Sequence, residues 1–116
     1  MKIVVRELEK ELRLAAKHFP AVILSGPRRA GKTFLLQQAF PKAAYYLLED
    51  PDLLARVKSD PRGWLDEIRT PAIIDEIQHA PELFPYIRSR IDTTPRRFGR
   101  WFLTGSQDFQ LMAGVT

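Results

Sequence analysis

Between the apolar run Ala21-Val22-Ile23-Leu24 and a stretch of helical periodicity beginning at Lys32 stands Gly26-Pro27-Arg28-Arg29-Ala30-Gly31-Lys32-Thr33, a G-x-x-x-x-G-K-[ST] pattern. No other feature limits the fold as tightly, because such a loop needs a strand to feed it and a helix to receive it. A glycine-opened loop turns main-chain N–H groups toward an anion, and the helix N-terminus adds the positive end of its dipole. Lys32 is then placed to reach the β- and γ-phosphates of a polyphosphate, and Thr33 to offer its hydroxyl to Mg²⁺. The candidate phosphate-binding residues are Gly26, Pro27, Arg28, Arg29, Ala30, Gly31, Lys32, Thr33 and Phe34. The plain alternative is a glycine turn followed by an ordinary surface lysine.

The rest of the chain alternates strand and helix signals. Leu8, Leu12, Ala15 and Phe19 recur at helical spacing, so Arg6 to His18 reads as an amphipathic helix that Pro20 ends. The helix from Lys32 runs through Leu35, Leu36 and Ala39 to Pro41. Ala44 to Leu48 is the next strand. Asp50-Pro51 and Asp60-Pro61 each set a capping carboxylate before a proline, predicting helices over Asp52 to Lys58 and Arg62 to Ile68. Ala72 to Asp75 is a third strand, Pro81 to Ile91 a helix whose regular part begins near Pro85, and Arg100 to Thr104 a fourth strand. This order requires parallel strands with crossover helices, an α/β fold in a three-layer α/β/α sandwich with a mostly parallel sheet. A chain of 116 residues that is 45% hydrophobic and 28% charged is expected to form one domain over 1–116. No run approaches the about 18 apolar residues of a membrane span. The absence of cysteine and the charged start Met1-Lys2-Ile3-Val4-Val5-Arg6 point to a cytoplasmic setting.

Asp75-Glu76 closes the third strand. In a parallel sheet these acids lie on the same edge as the phosphate loop, so Asp75 is the candidate Mg²⁺ ligand, directly or through water. Glu76 is placed to orient and deprotonate a water attacking the γ-phosphate; the bland alternative is a helix cap and a solvated acid. Thr104-Gly105-Ser106 closes the fourth strand and puts a hydroxyl between the two motifs if strands one and four are neighbours. Arg88, Arg90, Arg96, Arg97 and Arg100, with Phe98 and Trp101 nearby, are compatible with a nucleic-acid surface or with a solvated helix and loop. Gln78 fits a helix start, with nucleotide sensing as the alternative. His18 and His79 lack companion ligands at metal spacing, and Tyr45, Tyr46, Trp64 and Trp101 read as packing residues.

Taken together, these residues resemble the AAA-type P-loop ATPases, particularly the bacterial and archaeal predicted ATPases that carry a C-terminal domain of unknown function. The resemblance rests on Phe19 to Arg28, Gly31-Lys32-Thr33, Ile73-Ile74-Asp75-Glu76-Ile77-Gln78 with Ala80-Pro81-Glu82-Leu83, and Leu103-Thr104-Gly105-Ser106-Gln107, and covers essentially the whole chain. It implies that Lys32 and Thr33 are Walker A contacts, Asp75 and Glu76 the Walker B pair, and Ser106 the sensor-1 group, with Thr104 second. The catalytic set is therefore Glu76, Lys32 and Ser106, and the metal ligands are Thr33 and Asp75. Members of that family continue past the segment matching Leu111 to Val115 into a fifth strand, a helical lid and the C-terminal domain, so about four strands are expected here, with the lid and last strand missing. The family's strand order would leave Ala21 to Leu24 at a sheet edge, open to self-association or to contact with the missing C-terminal region. The activity implied is Mg²⁺-dependent ATP binding and hydrolysis, weak without an arginine finger. ATP is preferred to GTP because the chain has no asparagine for an Asn-Lys-x-Asp element. An ATP-gated binding module without useful turnover and a nucleic-acid-binding domain led by the arginine cluster are the competing functions.

Overall fold

A computed structural model describes residues 2–26 and 31–106. The elements run α1 (Lys2–His18), β1 (Ala21–Ser25), α2 (Lys32–Ala39), β2 (Ala44–Leu47), α3 (Pro51–Ser59), α4 (Pro61–Glu67), β3 (Ala72–Asp75), a 3-10 turn (Ile77–His79), α5 (Leu83–Thr93) and β4 (Trp101–Gly105). The four strands form one sheet in the order β1-β4-β3-β2, with every pairing parallel. In register, Ala21 stands opposite Trp101, Trp101 opposite Ala72, and Ala72 opposite Ala44.

Strand alternation separates two cores. Ile73 and Phe102 project with Leu12 of α1 and Leu35 and Leu36 of α2 on one face, where Phe40 stacks on Phe102 at 4.0 Å. Ile74, Trp101 and Leu103 project to the other face, against Val57 of α3, Trp64 and Leu65 of α4 and Ile87 of α5. Both faces of β3 and β4 are thus buried, and each fully covered Ile or Leu contributes roughly 1.5–3 kcal/mol. This is the three-layer α/β sandwich that the order of elements requires, with four strands. Strand β1, half-buried along most of its length, lies at the sheet edge and pairs with β4.

The caps of α3 and α4 follow the Asp-Pro signals. Asp50 Oδ1 accepts from Asp52 N at 3.1 Å, and Asp60 Oδ1 accepts from Gly63 N at 3.0 Å, each next to a proline in the first turn. Such caps contribute about 1 kcal/mol. At Gly63 a side-chain carbon would stand 2.1 Å from the Asp60 carboxylate, so any larger residue would make that carboxylate shift.

Several boundaries differ from the sequence expectation. Helix α1 starts at Lys2, four residues before Arg6, because nothing there breaks it; β4 runs from Trp101 to Gly105 rather than from Arg100 to Thr104. Helix α5 begins at Leu83, after a 3-10 turn that the proline-based reading does not contain. Pro85 sits within the first turn of α5 and not at its start, which is tolerated because a first-turn N–H has no intrahelical acceptor. Among the described residues no helix is long and apolar enough to cross a membrane.

Candidate functional site

All four strands point the same way, so Ser25, Leu47, Asp75 and Gly105 end on one edge, which is also where α2 begins. Gly31 precedes α2 with φ 83°, a left-handed conformation that glycine adopts without steric cost. No side chain caps the helix, and Leu35 N makes its bond back to Gly31 O at 3.0 Å. The main-chain N–H groups of Lys32, Thr33 and Phe34 are therefore without intrahelical acceptors, as the first turn of a helix leaves them. Pro27, Arg28, Arg29 and Ala30 lie outside the described residues, as do Gln107 and the segment Leu111 to Val115.

Lys32 is 8% exposed. Its Nζ donates to the carbonyl of Gly26 at 2.6 Å and to that of Gly105 at 3.1 Å, so the ammonium sits between the opening of the loop and the end of β4. Beside it, a cleft of 170 Å³ is lined by residues that include Leu8, Leu24, Gly26 and Leu35.

The carboxylate of Asp75, 3% exposed, collects three hydroxyls from three elements. Thr33 Oγ1 of α2 and Tyr45 OH of β2 each donate to Oδ2 at 2.5 Å. Thr104 Oγ1 of β4 donates to Oδ1 and itself accepts from the main-chain N–H of Glu76 at 2.9 Å. Alternation explains the convergence: Asp75 and Thr104 share the α1/α2 face with Ile73 and Phe102, and Tyr45 stands opposite Ile73. A buried carboxylate needs such donors, since burial of an unpaired charge is strongly unfavourable. Burial first, and then the bond to Asp75 and its negative charge, hold the Tyr45 phenol well above its ordinary pKa, so it remains a protonated donor.

Glu76 follows in a left-handed conformation at φ 59°, unusual outside glycine, and its side chain is buried. Gln78 Nε2 donates to Glu76 Oε1 at 2.6 Å, so Gln78 belongs to this cluster and is not merely a polar residue at a helix start. The carbonyl oxygen of Gln78 is buried without a partner among the described residues.

Other sequence candidates fall as follows. Ser106 lies one residue past β4, half-buried, while Thr104 is the hydroxyl that touches Asp75. The Phe34 ring is 68% exposed and takes no part in the cluster around Asp75. Tyr45, read from sequence as packing, is corrected: its hydroxyl is part of the carboxylate cluster, whereas Tyr46 packs edge-on against Trp64. His79 is not without companions in space, since one ligand atom each from Glu49, Glu76 and His79 lie within 4.8 Å of one another. Sequence spacing does not reveal this, because Glu49 arrives from the end of β2. The arginine cluster sits toward the opposite edge. Arg90 pairs with Asp66, and Arg100 donates to Thr94 at 2.7 Å and lies over the Trp101 ring. Burial, then neighbouring Arg97 and Arg90, hold the Arg100 guanidinium below its ordinary pKa.

The donor set suits a hard cation. Thr33 spends its proton on Asp75, so its oxygen lone pairs are left for a metal, and the neighbouring carboxylate supplies the negative charge.

This architecture is that of a P-loop NTPase-like α/β domain, and a family model described as an AAA domain matches residues 18–116. The chain belongs to the AAA domain family, and with it to nucleotide-binding proteins of the ATPase type. It is similar to two uncharacterized mycobacterial proteins, one from Mycobacterium bovis and one from Mycobacterium tuberculosis. Each is 36% identical over 103 residues, covering 84% of this chain. The chain spans 23% of the length of either relative. No solved structure matches it.

Proposed function

We propose that the chain binds ATP with Mg²⁺ and hydrolyses it. The observation that carries this reading is the 2.5 Å bond from Thr33 Oγ1 to Asp75 Oδ2, which joins the end of the G-x-x-x-x-G-K-[ST] segment to the acid closing β3. Lys32 reaches the β- and γ-phosphates, exchanging its carbonyl partners for phosphate oxygens, and the first-turn N–H groups of α2 add further donors. Thr33 and Asp75 would hold the ion, which would supply positive charge against the charge developing on the phosphate oxygens.

Glu76 orients a water and takes its proton as the water oxygen bonds to the γ-phosphorus and the bond to the bridging oxygen breaks, a role worth typically 10²–10⁴ in rate. Ser106 contacts the γ-phosphate or that water, and Thr104 keeps Glu76 and Asp75 in register. Turnover by the chain alone is weak on this reading, because an arginine finger worth 10³–10⁵ comes from elsewhere. The partners are ATP and, along the free side of β1, further sequence of the same protein or a second copy.

One observation favours a second reading, in which ATP is held without useful turnover and gates a partner: Gln78 already occupies a carboxylate oxygen of Glu76. ATP titration with single-turnover hydrolysis tests both. Lys32→Ala weakens ATP binding by roughly 1.5–3 kcal/mol, the worth of a hydrogen bond to a charged group, and unchanged affinity removes Lys32 from the site. Glu76→Gln keeps binding and loses hydrolysis. Equal turnover in Glu76→Gln and wild type dismisses Glu76 as the base, and the absence of turnover in wild type decides for the gating module.

A further inference from the structure

We propose that Tyr45 is a positioning residue of the magnesium site: its hydroxyl fixes the Asp75 carboxylate and offers its own oxygen lone pairs to water on the ion. The inference rests on the Mg²⁺-ATP reading above and extends it to an element, β2, that carries none of the motif residues.

Asp75 Oδ2 is shared by two hydroxyls, Thr33 Oγ1 and Tyr45 OH, each at 2.5 Å. A hydroxyl has a single proton, so both spend it on the carboxylate and both are left as acceptors toward the same region. The donation to Oδ2 that makes Thr33 a candidate neighbour of the ion is therefore shared by Tyr45.

Packing does not account for the residue. Tyr45 is 37% exposed and stands on an edge strand, where a phenylalanine would cover the same surface. What phenylalanine lacks is the donor. Without it, Oδ2 of a carboxylate only 3% exposed loses one of its two hydroxyl donors, and Thr33 on Oδ2 and Thr104 on Oδ1 hold a terminal torsion, broad for Asp, with one restraint fewer. ATP lacking a divalent ion meets Lys32 and the first turn of α2 but has no need of Asp75. Loss of the phenol is therefore felt only when Mg²⁺ is present.

The test is Tyr45→Phe in the 116-residue chain, with ATP affinity measured in chelator and at saturating Mg²⁺. Tyr46→Phe, on the opposite face of the same strand, is the control. Tyr45→Phe leaves affinity in chelator unchanged and weakens Mg²⁺-ATP about five- to tenfold, the scale of one hydrogen bond. The Mg²⁺ concentration for half-maximal effect rises by a similar factor, and the tyrosine ultraviolet difference spectrum produced by Mg²⁺ in wild type is lost. Tyr46→Phe changes neither affinity. If wild type gains nothing from Mg²⁺, the underlying reading fails and takes this proposal with it. If wild type gains and Tyr45→Phe gains as much, the proposal is overturned while that reading stands. Equal weakening with and without Mg²⁺ also overturns it, because Tyr45 would then support the loop or the fold and not the ion.

Discussion

Both edges of the sheet carry polar side chains, and among the described residues they use them in opposite ways. At the carboxyl edge, Lys32, Asp75, Glu76 and Thr104 are buried and bonded to one another or to main-chain carbonyls. Toward the amino edge, Arg90, Asp66, Arg96 and Arg97 are spread over the ends of α4 and α5 and the loop into β4, largely in contact with water. Chemistry is concentrated where polar groups have been taken out of water and made to converge, since the lower dielectric strengthens each interaction and penalises each one left unmade. Charges at a wet edge are screened and interchangeable. Residue type alone does not separate the two, since both edges carry charged side chains.

The sharpest way to break this contrast is to remove a neutral hydroxyl from one edge and a full charge from the other. Thr104→Val strands the buried N–H of Glu76 and one oxygen of Asp75. It lowers unfolding free energy by about 2–3 kcal/mol in denaturant titration, since each unsatisfied buried group costs roughly 1–3 kcal/mol. Arg90→Ala deletes the pair with Asp66 at the rim and costs only about 0.2–1 kcal/mol in the same assay. If the arginine proves the more damaging, the distinction between the edges is wrong.

Smaller still is an acid effect at Glu82, beside Lys58 at 3.0 Å. A bond from its own main chain lowers its pKa against the opposing effect of burial, and the hydrogen bond and charge of Lys58 add to the lowering. A lowered carboxyl pKa contributes stability that is present above the ordinary carboxylate range and is lost as pH falls through the folded value. Glu82→Gln therefore loses that small contribution at neutral pH, leaves stability below the folded pKa unchanged, and so flattens the acid limb of a stability profile slightly. A steeper acid limb in the variant would reverse the sign.

Much of the fold is legible in the residues. Asp-Pro pairs mark where α3 and α4 begin, β-branched runs mark β1 and β3, and the strict alternation of elements requires the parallel sheet. The meeting of Thr33 with Asp75 follows from that topology, because parallel strands end on one edge. Three features were hidden for three physical reasons. The left-handed turn at Glu76 has no glycine or asparagine to announce it; it is held by the Thr104 hydroxyl from another strand. Tyr45 looks like any strand aromatic until the register of β2 against β3 brings its hydroxyl to the carboxylate. Glu49 and His79 are neighbours only through the folded path of β2 and the 3-10 turn. In each case the missing information is a pairing between distant segments, which periodicity along one segment does not contain.

The ammonium of Lys32 sheds its hydration shell when the chain folds, not when a ligand arrives, because two carbonyl oxygens already stand where water would. On the proposed reading, a triphosphate would meet a cation already desolvated and oriented by those carbonyls. Capture would then trade one oxygen partner for another at that nitrogen, with the cost of stripping its water already met in folding.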